Sequence, residues 1–523
     1  LFFFGCVLHM QGDEICTQPS QSSKGNVLLW NGEVFDGLEI PCGVSDTKAL
    51  LTLLDEANEE GILKILSSVE GPWSFVYYHQ KDLKLYFGRD YFGRRSLVWS
   101  WDENSLMLAS VCSQNATWEE VPGSGIFCLD LNKINMDLKR CVTCNLWTQI
   151  TNSEVKTCEG FHTEHEIKTS MHLKYNYKCK VSSINEFDYL YTKDIDPLLR
   201  LQTACDEKKL WTICNDFICV LKRSVQKRTS AHKSLKAVRK VAVLFSGGID
   251  CTVLALLADL FVPNNEEIDL LNVAFEQKQK TNVKQQKHNA NLDNVYEVPD
   301  RITGKSSFKE LQKLCPNRKW NFVEIDIKLE ELQTERSKRI SMLTWPKSTV
   351  LDDSIACAIW FASRGEGMIK EVKHRSEARV LLCGMGADEQ LGGYSRHRGI
   401  FEKDGDWNAV REELNMEVER IASRNLGRDD RIISDHGKEA RFPYLDEEVV
   451  QFLSSLPVHM KTDLRLERGV GEKILLRGAA YQLGLRAAAV AAKRAIQFGS
   501  RIAKAESRKE KGSDACGRLG ENF

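Results

Sequence analysis

Apolar residues come in short runs over the first part of the chain, at 26–30, 73–78, 83–87, 96–101 and 126–129, each bounded by turn-forming residues. Runs of this length, rich in aromatic and β-branched residues, predict strands, so residues 1–147 are expected to form a β-rich domain. From 148 to 208 the chain is polar, rich in Lys, Thr and Glu, and shows no sustained period. A linker or insertion is expected there. At 210–225 apolar positions return at helical spacing, which predicts a helix leading into a second domain over 209–505. Within that domain, runs at 241–245, 270–275, 322–327 and 380–383 alternate with helical stretches. Strands alternating with helices imply a parallel α/β sheet. The Lys-, Gln- and Asn-rich stretch 277–294 is expected as a solvated loop, and the charged residues 506–523 as a tail.

Composition adds few constraints. A chain of 523 residues exceeds what one core can organise, in keeping with two domains or three. Its 72 basic and 73 acidic residues leave a net charge of −1, which gives no reason to expect nucleic acid or an anionic membrane as partner. The apolar start, Leu1-Phe2-Phe3-Phe4, is too short for a signal or membrane segment, and Gln11, Asp13 and Glu14 interrupt it. A cytoplasmic protein is expected, with most of its 17 cysteines reduced and a homo-oligomer left open. Cys141-x-x-Cys144, with Cys158, His162, His165 and Cys179 downstream, has the chemistry of a zinc site. No second C-x-x-C accompanies it, and ordinary thiols are the default expectation.

The chemistry concentrates at strand ends. The run 241–245 feeds Ser246-Gly247-Gly248-Ile249-Asp250 and then an apolar helical stretch. Glycine lets backbone approach an anion closely, and free N–H groups at a helix start attract it. A phosphate loop follows from this, with Asp250 placed to hold magnesium beside the phosphate. It lacks the Gly-Lys-Ser/Thr ending of the Walker loop, and resembles the pyrophosphate loop of enzymes that cleave ATP between its α and β phosphates. The apolar run ending at Leu382-Cys383 leads into a second glycine loop, Gly384-Met385-Gly386-Ala387-Asp388-Glu389. In an open parallel sheet both loops can face one site, with Asp250 and Asp388 sharing one metal–pyrophosphate group.

These motifs, followed by Gly392-Gly393-Tyr394 and by His436-Gly437-Lys438-Glu439-Ala440-Arg441-Phe442-Pro443-Tyr444-Leu445-Asp446, resemble in order the synthetase domain of glutamine-dependent asparagine synthetases. The amino-terminal part is similar to the class II glutaminase domain of the same family, through Asn31-Gly32-Glu33-Val34, Ser45-Asp46-Thr47, 71–75 and 88–97. The resemblance covers nearly the whole chain. It implies an Ntn-type glutaminase sandwich domain followed by a parallel-sheet, adenylating ATP-pyrophosphatase domain, with glutamine, aspartate and ATP as substrates and Mg2+ as cofactor. By the same resemblance, Glu33 and Asp46 pair with the glutamine ammonium, while Asn31 and the Gly32 N–H stabilise the oxyanion. Leu244, Ser246, Gly247, Gly248, Asp250, Cys383 and Gly384 are carried over as the ATP and pyrophosphate site, and Asp250 and Asp388 as the metal ligands. Arg441 and Pro443 are read as packing and turn elements.

Three positions depart from the family pattern. The glutaminase nucleophile, an N-terminal cysteine, is expected upstream of Leu1, because Cys6 lacks the free amine that would serve as its base. Met385 stands where the family carries a glutamate, and Ala495 near a family lysine, with Lys493 and Arg494 as candidate replacements. Two readings follow: an amidating ligase with aspartate as the default acceptor, and a pseudoenzyme that keeps the fold in a regulatory or scaffolding role. The intact Ser246–Asp250 loop favours the first, Met385 and Ala495 the second.

Overall fold

The computed structural model describes residues 1–102, 105–113, 116–133, 141–148, 166–179, 196–230, 240–277 and 295–505. The amino-terminal domain is built on a seven-stranded sheet. Its members are β1 (Ser20–Gln21), β2 (Val27–Gly32), β3 (Trp73–His79), β4 (Lys84–Arg89), β8 (Gly125–Asp130), β9 (Val142–Thr148) and β10 (Glu166–His172), in the order β1-β2-β3-β4-β8-β9-β10. A smaller sheet, β6-β5-β7, is formed by β5 (Val98–Trp101), β6 (Leu106–Ala109) and β7 (Glu119–Glu120).

All seven residues of β3 are buried, because the large sheet is covered on both faces. Trp73, Phe75 and Tyr77 point to one face, where they pack with residues of helices α1 (Asp46–Asp55) and α2 (Glu59–Ser68). Val76 and Tyr78 point to the other, where they meet Leu97 and, from the smaller sheet, Trp99 and Leu106. Strand side chains alternate between faces, so two covered faces turn an alternating pattern into an unbroken apolar run.

The stretch expected as a polar linker, 148–208, carries structure of its own. β10 lies parallel to β9 at the edge of the large sheet, and α3 (Pro197–Glu207) begins where the Asp196 carboxylate accepts from Leu198 N at 2.9 Å. Between them Leu173 and Tyr177 are buried in the core of the second domain, with Phe92. An edge strand pairs through its backbone on one side only and needs no apolar run, which is why its polar sequence reads as linker. The loop expected at 277–294 and the tail at 506–523 lie outside the described residues, apart from Gln277.

The zinc expectation does not assemble among the described residues. Cys141 and Cys144 are buried in the core between the two sheets, whereas Cys179 is buried in a separate cluster with Val410 and Leu414. Cys158, His162 and His165 lie outside the described residues.

Helix α4 (Leu210–Thr229) enters the second domain, whose sheet runs β15-β14-β13-β12-β11-β16-β17. Strands β11 (Val241–Leu244), β12 (Ile268–Phe275), β13 (Trp320–Ile327), β16 (Val380–Leu382) and β17 (Glu439–Arg441) are parallel, and β14 (Glu366–Ile369) and β15 (Val372–Arg375) close one edge antiparallel. Each face has its core: Val241, Val243 and Phe245 pack on one side with α4 and with helix α5 (Ile249–Asp259), while Leu271, Val273 and Phe275 pack on the other. The chain lays β12 and β13 on one side of β11 and β16 and β17 on the other, so strand order reverses between β11 and β16. The carboxyl ends of those two strands flank the crevice where such sheets bind ligands.

Candidate active sites

β11 hands over to α5 through Phe245-Ser246-Gly247-Gly248. Gly247 has φ +78°, and a Cβ there would lie 2.5 Å from Cα of Gly304 in helix α6 (Pro299–Leu314). Only glycine allows that approach. The Ser307 hydroxyl donates to Gly247 O at 2.7 Å and fixes the turn, while Gly248 N donates to Ser246 Oγ at 3.3 Å. β16 hands over to the short helix Ala387–Leu391 through the second glycine loop, and a Cβ on Gly384 would stand 3.0 Å from Cβ of Asp250. The two loops are therefore in contact, as their positions at the switch point require.

Asp250 and Asp388 meet at a shared cation. Lys473 Nζ lies 2.7 Å from both carboxylate oxygens of Asp250 and 2.6 Å from Asp388 Oδ1. Lys493 Nζ pairs with Asp388 Oδ2 and stands 3.8 Å from Asp250 Oδ2. Burial opposes charge on Asp388, but the two ammonium groups outweigh it and hold its carboxyl well below the usual range. Lys473 is fully buried and takes φ +58°. Any side chain on Gly393 would overlap Asp388 Oδ1 and the Lys473 stem, so this glycine makes room for the ion pair.

A cavity of about 330 Å³ opens over this cluster. Leu244, Ser246, Gly248, Asp250 and Gly384, expected at an ATP site, line it together with Asp388, expected as a metal ligand. Gly247 underlies the loop. The Cys383 side chain departs from the expectation: it is fully buried in the core on one face of the sheet, and burial pushes its thiol far above the usual range. A strand end alternates its side chains, so between Leu382 and Gly384 only the backbone of Cys383 is left near the crevice. Met385 and Ala495 also line the cavity, and Lys493, two residues before Ala495, supplies a cation there. Lys473 is absent from the sequence expectations because its partners, Asp250 and Asp388, lie far from it in the chain. Its signal is a lone lysine between Gly471-Glu472 and an apolar helix.

The second cavity, about 680 Å³, lies at the amino-terminal domain and is lined by Asn31, Gly32, Glu33 and Asp46, with Cys6 and Arg95. Gly32 faces Trp73 across the β2–β3 pair, and a Cβ there would come within 2.6 Å of Pro72 O. Asp46 opens α1 and accepts from Trp30 Nε1 at 3.2 Å and from Thr47 N at 2.8 Å. Burial raises its carboxyl to about 6 against those hydrogen bonds, and Glu439 adds to the rise. Glu33 is buried, accepts from Gln11 Nε2, and stands 3.7 Å from Arg441 Nη2.

Arg441, expected as a packing element, thus reaches across the domains. It donates to Glu439 Oε1 at 2.6 Å and to Arg228 O at 2.7 Å, and lies over the Phe35 ring. Arg95 also bridges, with Nη1 on Asp430 Oδ1 at 3.0 Å and Nη2 3.2 Å from Glu439 Oε1. Glu33 of one cavity and the end of β17 are therefore joined by a chain of buried charges.

Comparison with known proteins gives consistent matches. A family profile described as glutamine amidotransferase domain matches residues 8–114, and one described as asparagine synthase matches 400–512. The mouse asparagine synthetase domain-containing protein 1 is 44% identical over 99% of this chain and 92% of its own length. The human protein of the same name is 42% identical over 99% and 90%. A Methanocaldococcus jannaschii protein described as putative asparagine synthetase [glutamine-hydrolyzing] 1 is 24% identical over 83% of this chain and 65% of its own.

Proposed function

The chain belongs to the asparagine synthetase family, a family of glutamine-dependent ligases, and from that membership we propose that it adenylates a carboxylate with ATP and converts the acyl-adenylate to an amide with glutamine-derived ammonia. Aspartate is the default acceptor. One observation carries the reading: a single ammonium group, Lys473 Nζ, touches Asp250 and Asp388 at 2.6–2.7 Å, at the ends of β11 and β16. The two carboxylates are close enough to share one small cation.

That geometry fits Mg2+, a hard cation that takes carboxylate oxygens. Asp250 and Asp388 would hold the ion, and when bound it would neutralise charge on the pyrophosphate leaving group. The chain's own residues do the rest. The backbone N–H groups at Gly248 and the start of α5, with the Ser246 hydroxyl, offer donors to phosphate oxygens. Lys473 and Lys493 offer two cations that can turn from the carboxylates to the pyrophosphate. In the amino-terminal cavity Asp46, buried and partnered only by neutral donors among its hydrogen bonds, is disposed to accept the α-ammonium of glutamine.

A pseudoenzyme remains the second reading, favoured by Met385, whose thioether lines the cavity and cannot exchange a proton. Aspartate-dependent exchange of labelled pyrophosphate into ATP, measured on the full-length protein, separates the two. Exchange is expected. Its absence from a folded protein that binds ATP overturns the ligase reading in favour of the second.

A further inference from the structure

The proposed reaction requires a base. When ammonia attacks an acyl carbon, the new C–N bond leaves a positive nitrogen, which must lose a proton before the tetrahedral species can collapse to an amide. The cavity is lined by several carboxylates, and most are already engaged. Asp250 and Asp388 hold Lys473 and Lys493. Glu389 accepts from Tyr394 Oη at 2.5 Å and from Gly386 N at 3.1 Å. Asp352 and Asp429 share Arg428.

Asp300 differs from them. It stands in the first turn of α6, lines the same cavity as Ser246, Met385 and Ala495, and is nearly fully buried. Its carboxylate accepts no hydrogen bond from any described residue. Instead it lies against Gly499, where any side chain would overlap both carboxylate oxygens, so the glycine leaves the space the carboxylate fills. The charged groups facing it are Lys493 and Arg494, from the segment that leads into the short helix Ile496–Gly499. Arg494 is tied back to α6 through Thr303 Oγ1 at 3.4 Å. Arg301, next to Asp300 on α6, is turned away to Asn272 Oδ1 and Asp326.

Resting on the ligase reading, we propose that Asp300 is the catalytic base of the amide-forming step, receiving the proton that ammonia sheds as it displaces AMP from the acyl-adenylate. The nitrogen lone pair forms the C–N bond, one N–H proton passes to the Asp300 carboxylate, and the C–O bond to phosphate breaks with its electron pair leaving on AMP. This assigns Asp300 to the second half-reaction only; adenylation proceeds at the Ser246–Asp250 loop without it. Burial raises its carboxyl to about 7 against the pull of Lys493 and Arg494, in the range where a carboxylate can take and return a proton.

The test measures both half-reactions on the full-length protein: aspartate-dependent pyrophosphate exchange, and amide formation from ammonium chloride. In Asp300→Asn, exchange is expected to stay within a few-fold of the parent while amide formation falls by about 10²–10⁴, the usual weight of general base catalysis. Amide formation retained within tenfold overturns the proposal. Parallel loss of both also overturns it, since the residue then serves adenylation or the fold. A second variant, Gly499→Ala, keeps the carboxylate but displaces it, and is expected to lower amide formation selectively; equal retention of both half-reactions counts against the assignment. A parent protein without exchange fails at the earlier reading, and that outcome is distinguishable because it precedes any variant.

Discussion

Burial raises the Asp46 carboxyl to about 6 from its ordinary 3.8, and this fixes how its cavity responds to pH. The folded chain keeps the proton over a range in which the unfolded chain has lost it, so this group's contribution to stability is full below pH 3.8 and is lost as pH rises through about 6. An ammonium ligand reverses that cost by pairing with the ionised form. Glutamine affinity is therefore expected to rise with pH through about 6 and then level off, as calorimetric titration would show, and Asp46→Asn is expected to weaken it about 10–100-fold and flatten the profile. The Lys473 ammonium lies between the Asp250 and Asp388 carboxylates and pairs with both. Lys473→Met is expected to remove pyrophosphate exchange and to cost about 3–5 kcal/mol in urea unfolding, because it leaves buried charges uncompensated.

At the level of elements, the sequence told most about what local chemistry controls. Both glycine loops, the strands before them and helix α4 follow from apolar runs and turn residues, and each lies within a few residues of its expected place. The covered sheet of the first domain follows from unbroken runs such as 73–78. What could not be read was set by partners distant in sequence. Lys473 sits 223 residues from Asp250, and nothing around it announces a partner. Asp300 appears in sequence only as an acidic residue opening a helix, a place such residues favour for the dipole alone. The same distance effect gives Gly247 its importance: its φ of +78° is local, but its close approach to Gly304 on α6 is not. Gly247→Ala is expected to cost about 1–3 kcal/mol through backbone strain and, on the proposed ATP site, to remove the rise in melting temperature expected when ATP is added to the parent protein.

Across the whole molecule the domains meet through buried ion pairs. Arg94 joins Asp90 Oδ1 at 2.9 Å and Glu447 Oε1 at 2.5 Å, and donates to Leu445 O at 2.8 Å. Arg431 reaches back to Glu120 and the Ser96 hydroxyl, each at 2.8 Å, while Arg89 donates to Ala422 O at 3.3 Å. Removing one partner of such a pair costs more than the pair contributes. Arg94→Ala is expected to lower stability by about 3–5 kcal/mol in urea unfolding, with fluorescence and circular dichroism moving together because both domains depend on the junction. No helix among the described residues is long and apolar enough to cross a membrane. The side chains of this charged seam also decide what can be recombined. A chimera joining this amino-terminal half to the carboxyl-terminal half of a distant relative inherits Arg94 and Arg95 already desolvated, and it folds only if the incoming half brings acids in the places of Asp430, Glu439 and Glu447.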